Sequence, residues 1–330
     1  MSVERYRQPA TKVVVIGGMP GVGKTALAQA IGRDPVIERY FRDGLLWAEL
    51  GPAPDIDRWL REWAGLPGMP KDATSRPEAW LWKYLASEKR RTLIILDDVW
   101  PGTHFERLMI GGPQCRVLIT SQVITIADLY EKVHGSPITT LEHSQALALA
   151  LGLMERQVTE EEREGLKELV EIVGDLPLAV EVSVATMKSQ GVIPVLNQLR
   201  LRSGDPLAAE PRRMERLKVP GAKPRQSSVP ASFQVAYDFL EEADQRRFRA
   251  LGRLVRSISF GEAVLAALWD DDAWEARQAA HRLAERSLLE RVGHSRYRIH
   301  KLLHDFAAEK LEIAGEHDVD EAWVERLKGE

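Results

Sequence analysis

The stretch Val13-Val14-Val15-Ile16-Gly17-Gly18-Met19-Pro20-Gly21-Val22-Gly23-Lys24-Thr25-Ala26 decides the fold. An apolar, mostly β-branched run reads as a strand, and Ala26-Leu27-Ala28-Gln29-Ala30-Ile31 after it reads as a helix. Strand, glycine-rich turn and helix follow one another in the order that a phosphate-binding loop requires. Gly18, Gly21 and Gly23 let the backbone curl so that successive amides face an anion, and the helix start near Lys24 adds its positive dipole end. Lys24 is then a mobile cation for the β- and γ-phosphates of a nucleotide, and the Thr25 hydroxyl a ligand for Mg²⁺. Met19, Pro20, Val22 and Ala26 contribute backbone to the same cradle. The alternative, a glycine turn with no ligand, needs neither the lysine nor the hydroxyl.

An acidic strand end should complete such a site, and Leu93-Ile94-Ile95-Leu96 followed by Asp97-Asp98-Val99-Trp100 supplies one. The short unbroken apolar run suits a central parallel strand buried on both faces. Asp97, at its carboxyl end, is placed to hold the hydration shell of Mg²⁺, and Asp98 to orient a water against the γ-phosphate. Lys24, Asp97 and Asp98 form the expected catalytic group, with Thr25 and Asp97 on the metal. Read alone, paired acids after a strand also fit a solvated turn.

A chain of 330 residues suggests two to four units rather than one core. With 44% hydrophobic and 28% charged residues, it has the make-up of a globular protein able to bury sizeable cores. The 45 Lys and Arg against 49 Asp and Glu leave a net charge of −4, which gives no case for nucleic acid or an anionic membrane as partner. Its apolar runs fall far short of a membrane span, and Met1 to Lys12 is polar without a signal-peptide core, so a cytoplasmic setting is expected. Cys115 is the only cysteine, which excludes an internal disulfide and any cysteine metal cluster. Beside a strand, it reads as packing rather than as a nucleophile.

Up to about Thr140 short apolar strands alternate with helical patterns, the signature of an α/β domain with a mostly parallel sheet. Strands are expected over 12–16, 45–50, 92–97, 116–120 and 136–139, and helices over 25–32, 56–63, 76–87 and 105–109. From Glu142 the pattern is helical, over 144–153, 160–173, 177–190 and 193–201. Residues 204–230 are rich in Pro, Arg and Lys without apolar period and read as linker. Their basic stretch, Arg212 to Arg225, lacks interleaved aromatics for stacking on bases. Helices over 232–240, 242–251, 261–268 and 272–287 then lead to a hairpin over 288–291 and 297–300 and a helix from Leu302. That is the order of a winged helix, here without the basic excess of a DNA-reading face. The expected division is a P-loop α/β domain over 1–141, a helical domain over 142–205, a linker over 206–230, a winged helix over 231–315 and a tail over 316–330.

With these elements in order, from about Thr11 to Leu311, the chain resembles the NB-ARC family of STAND signal-transduction ATPases, which includes apoptotic-protease-activating factors and plant disease-resistance proteins. The family's phosphate loop matches Gly18 to Thr25 and its acidic strand motif Leu93 to Trp100. Its Gly-x-Pro motif matches Gly174-Asp175-Leu176-Pro177, which implies Pro177 against adenine and ribose; read alone, Pro177 is a first-turn helix proline. The family's Met-His-Asp motif aligns with Ile299-His300-Lys301, so the resemblance implies that His300 reaches the β-phosphate of ADP. A histidine capping the helix that follows is the alternative. Where the family has Thr-Thr-Arg, with an arginine that senses the γ-phosphate, this chain has Thr120-Ser121-Gln122. An amide cannot neutralise phosphate charge as a guanidinium does, so Gln122 implies slow hydrolysis. The resemblance implies a switch that is closed with ADP and self-associates with ATP and Mg²⁺, coupled to upstream sensor and effector domains or proteins. A P-loop enzyme proper and a winged-helix DNA-binding regulator are the rival classes.

Overall fold

The computed structural model describes residues 12–66, 76–86, 89–100, 103–122, 133–203, 229–254, 259–293 and 295–316. The basic stretch at Arg212 to Arg225 and the tail beyond residue 316 lie outside them. Contacts divide the chain into two units, one of Met1–Met19 with Gly23–Thr139 and one of Pro20–Val22 with Thr140–Glu330.

The first unit is built on a sheet of five strands: β1 (Lys12–Gly17), β2 (Leu45–Glu49), β3 (Leu93–Val99), β4 (Arg116–Ser121) and β5 (Val133–Pro137). They lie in the order β2-β3-β4-β1-β5, and every pairing is parallel. Every residue of β3 is buried, as the unbroken apolar run requires of a strand covered on both faces. On one face Ile16, Leu93, Ile95 and Leu118 pack with Ala28 of α1 (Lys24–Gly32). On the other, Val13, Val15, Ile94, Leu96, Val117 and Ile119 pack with α3 (Ile56–Ala64), α4 (Pro77–Leu85) and the 3-10 turn Phe105–Leu108. Because the strands are parallel, the carboxyl ends of β1, β3 and β4 emerge at one edge. The chain leaves β1 toward β2 on one side while β5 pairs on the other, so the strand order reverses beside β1, the place where such sheets bind ligands.

In this unit a helix and strand β5 differ from expectation. The helix α2 (Pro35–Tyr40) was not foreseen; Asp34 caps it, its carboxylate accepting from Val36 N at 2.7 Å and Ile37 N at 3.2 Å, with Pro35 in the first turn. Strand β5 occupies Val133–Pro137 rather than 136–139, because its pairing with β1, from Val13↔Val133 to Gly17↔Pro137, sets its limits. Cys115 is fully buried, its Sγ 3.6 Å from the Arg90 carbonyl and 3.7 Å from that of Leu85. That burial is the setting of a packed thiol.

In the second unit α5 (His143–Leu153), α6 (Glu160–Ile172), α7 (Pro177–Gln190) and α8 (Val192–Ser203) come first. A capping box starts α6: Glu162 N donates to the Thr159 hydroxyl at 3.2 Å and Thr159 N to the Glu162 carboxylate at 2.9 Å. Helix α7 is buried almost all round from Leu178 to Met187, save the exposed Glu181, as its largely apolar sequence demands. Then follow α9 (Val229–Asp238), α10 (Glu242–Ala250), α11 (Glu262–Trp269), α12 (Ala273–Glu285) and α13 (Lys301–Ile313). With them goes an antiparallel sheet in the order β6-β8-β7, made of β6 (Phe260–Gly261), β7 (Glu290–Arg291) and β8 (Arg296–Arg298). Helix α9 starts at Val229 rather than at 232, because Val229 and Pro230 are themselves buried. No helix among the described residues is long and apolar enough to cross a membrane.

Candidate phosphate-binding site

The loop between β1 and α1 departs from ordinary backbone where glycine was expected to permit it. Gly21 has φ 78° and Gly23 φ 99°, both left-handed. Gly23 is the N-cap of α1 and brings no side-chain cap, and the first turn holds no acid. The positive end of the helix dipole therefore faces no protein carboxylate of its own first turn, the condition under which an exogenous anion is favoured. The Lys24 side chain is buried and curls back over the loop, its ammonium donating to Gly18 O at 2.8 Å and Met19 O at 2.9 Å. The cation is thus held inside the ring of backbone that it would serve.

Thr25 brings the loop to the acidic strand end. Its hydroxyl lies 3.0 Å from Oδ1 and 3.0 Å from Oδ2 of Asp97, which is only 2% exposed. Asp98, also buried, has φ 58°, and its carboxylate accepts from Trp100 Nε1 at 3.2 Å. The two carboxylates have separate partners, so the paired acids are a built feature rather than a solvated turn. Gln122, half-buried, follows Ser121, whose carbonyl accepts from Gly18 N at 3.3 Å and whose hydroxyl donates to Val99 O at 2.7 Å. The structure thereby gathers Gly18, Lys24, Thr25, Asp97, Asp98 and Gln122 at the carboxyl ends of β1, β3 and β4.

One site residue was missed. The buried Thr120 hydroxyl accepts from Asp98 N at 2.9 Å and donates to Asp97 Oδ1. Its signals in the sequence are a polar residue at the end of an apolar strand, Val117-Leu118-Ile119-Thr120, and its place at the head of Thr120-Ser121-Gln122, a motif read for Gln122 alone.

Two expected residues belong to the second unit, as do loop residues Pro20–Val22. Pro177 opens α7 after Gly174 (φ 67°) and Asp175 (φ 58°), a pair of left-handed residues that stops α6 and redirects the chain. Leu178 N, in the first turn, donates to Gly21 O at 3.3 Å. His300 is the N-cap of α13: its Nδ1 accepts from Leu302 N at 3.2 Å. An accepting Nδ1 puts the ring proton on Nε2, which makes that nitrogen the donor.

Residues 4–162 match the NB-ARC domain family. The match to that family of P-loop ATPases supports nucleotide binding. The chain is 29% identical over 303 residues to the regulatory protein AfsR of Streptomyces griseus, which covers 89% of this chain and 29% of that protein. It is also 29% identical over 208 residues to a disease susceptibility protein of Arabidopsis thaliana, covering 56% of this chain and 22% of the relative. The chain thus spans less than a third of the length of either relative. Among solved structures, the STAND protein with a tetratricopeptide repeat sensor from Pyrococcus horikoshii aligns with a TM-score of 0.56 at 15% identity. The alignment takes in 96% of this chain and 45% of that one. At that identity the likeness is one of fold.

Proposed function

We propose that this chain is the core of an adenine-nucleotide switch, closed with ADP and opened by exchange for ATP, with self-association in the open state. The observation that carries the reading is the joining of loop and acid, Thr25 hydroxyl to Asp97 carboxylate at 3.0 Å, with the Lys24 ammonium poised on the loop carbonyls. The residues fit a magnesium nucleotide on their own chemistry. Left-handed glycines and an uncapped helix start suit phosphate, and a half-buried hydroxyl beside a buried carboxylate, both oxygen donors, suit a hard divalent ion. In this reading Gly18, Met19, Pro20, Gly21, Val22, Gly23 and Ala26 line the phosphates, Lys24 binds the β- and γ-phosphates, and Thr25 with Asp97 holds Mg²⁺. Mg²⁺, held by Thr25 and Asp97, would supply neutralisation of phosphate charge. Asp98 orients the attacking water, and Gln122 faces the γ-phosphate without the charge of an arginine, so turnover is slow.

The finer reading assigns the helices from α5 to α8 to a small helical domain and the elements from α9 to α13 to a winged helix. Pro177 takes the adenine and ribose, and His300 donates from Nε2 to the β-phosphate of ADP. A ligand held from more than one domain makes differential contacts in the closed and open states, which is what lets it bias the two. An upstream sensor and a downstream effector, in this protein or in partners, complete the scheme. Extraction of nucleotide from the purified full chain tests it. ADP released in near-equimolar amount supports the switch, and a chain that neither carries nor binds adenine nucleotide contradicts it.

A further inference from the structure

The ladder between β3 and β4 runs in step from Leu93↔Arg116 to Leu96↔Ile119 and resumes out of step at Val99↔Ser121. Asp97 and Asp98 of β3 therefore face the single residue Thr120 of β4, which is a β-bulge. The bulge turns Asp98 into the left-handed region, φ 58°, and its amide goes to the Thr120 side chain, accepted at 2.9 Å. A threonine hydroxyl has one proton. With its lone pair engaged by the Asp98 amide, Thr120 directs that proton at Asp97 Oδ1. The residue is 1% exposed, so the arrangement is sheltered from bulk water.

We propose that Thr120 is the positioning residue of the acidic strand end, fixing the Asp97 carboxylate for the magnesium ion of the nucleotide complex. The proposal rests on the reading of the site as a magnesium nucleotide site. The carboxylate has two hydroxyl partners, and they differ in kind. Thr25 belongs to the loop and is itself the hydroxyl expected to engage the ion, so its bond to Asp97 changes when the ion binds. Thr120 belongs to the sheet, and its bond is set by backbone that the ligand does not touch. It holds one carboxylate oxygen still and leaves the other to the ion and its water.

The test is fluorescent-nucleotide titration of the full chain, with ADP in excess chelator and with ATP across a range of Mg²⁺. Thr120→Val, nearly isosteric and without a hydroxyl, should leave chelator ADP affinity within about twofold. Losing one charge-assisted bond should raise the Mg²⁺ needed to tighten ATP about tenfold. Thr120→Ser should restore wild-type Mg²⁺ dependence. If the valine chain does not fold, Thr120→Cys, a weak donor of similar size, should show the same shift. A Thr120→Val chain with wild-type Mg²⁺ dependence would overturn the proposal while leaving the site's reading intact. So would one that lost chelator ADP and Mg²⁺-ATP affinity equally, since that is the mark of a merely structural plug. A wild-type chain that bound neither nucleotide would instead overturn the site's reading, and this proposal with it.

Discussion

The Thr25 hydroxyl lies 3.0 Å from each carboxylate oxygen of Asp97, across 72 positions of sequence. That contact makes one site of the loop after β1 and the acidic end of β3. Thr25→Ala and Asp97→Asn should each keep the fold and remove most of the Mg²⁺-dependent gain in ATP affinity, about tenfold or more for a charge-assisted contact. Isothermal calorimetry with and without Mg²⁺ reads it. Unchanged Mg²⁺ dependence in both variants would separate the pair from the metal.

Trp100 and Asp98 form a second such pair, the indole donating to the carboxylate at 3.2 Å. Trp100→Phe keeps the ring and deletes the donor, so ATP hydrolysis should fall several-fold with ATP affinity retained, and Asp98→Ala should fall further. The wild-type rate itself should lie well below the ~1–100 s⁻¹ of kinases, because Gln122 brings no charge to the γ-phosphate. A wild-type rate within that range would favour an enzyme proper over a switch.

The glycine-rich loop between β1 and α1 was legible because its conformation is local: the glycines, Lys24 and Thr25 lie within one short stretch and need no distant partner to shape it. The buried strand around Leu93 to Leu96 was legible for the same reason. Thr120 was not, because its role follows from a bulge, and a bulge exists only in the pairing of β3 with β4. Helix α2 escaped because Arg33-Asp34-Pro35 reads equally as a stop and as a capped start. Strand β6 escaped because Phe260–Gly261 is too short to alternate, and only its pairing with Tyr297 and Arg296 defines it. For His300, capping and phosphate binding were alternatives on sequence; the neutral ring that caps through Nδ1 has Nε2 as its donor, so the two are compatible.

Asp244 gives a pH dependence. Burial acts to raise its carboxyl, but hydrogen bonds from Arg282, at 2.8 and 2.9 Å, and Arg247, at 2.9 Å, outweigh it and hold the group below its ordinary value. A carboxyl depressed in the folded chain adds stability above its unfolded pKa of about 3.9, and that stability is lost as pH falls through the folded value. Asp244→Asn should cost about 1–2 kcal/mol near pH 7, since it removes charge-assisted bonds while Arg247 keeps Asp271 and Arg282 keeps Glu275. It should also flatten the acid limb below pH 4. Urea unfolding at pH 7 and pH 3 checks both, and equal losses at the two pH values would contradict the linkage.

His300 separates capping from ligand binding. His300→Ala should lose the cap, about 0.5–2 kcal/mol of stability, and weaken ADP binding about tenfold. His300→Asn keeps a side-chain acceptor for Leu302 N, so stability should recover while ADP affinity stays low. Thermal unfolding and ADP calorimetry on the two variants read this. Full ADP affinity in His300→Asn would confine the residue to its helix.

The central claim is that the loop from Gly18 to Thr25 binds adenine nucleotide through the cation poised at its centre. Calorimetry of ADP and Mg²⁺-ATP on the wild-type chain and Lys24→Ala tests it most directly. The account predicts binding of both nucleotides by the wild type and no measurable binding by the variant, with the fold unchanged by circular dichroism. Equal affinities in the two chains would contradict it.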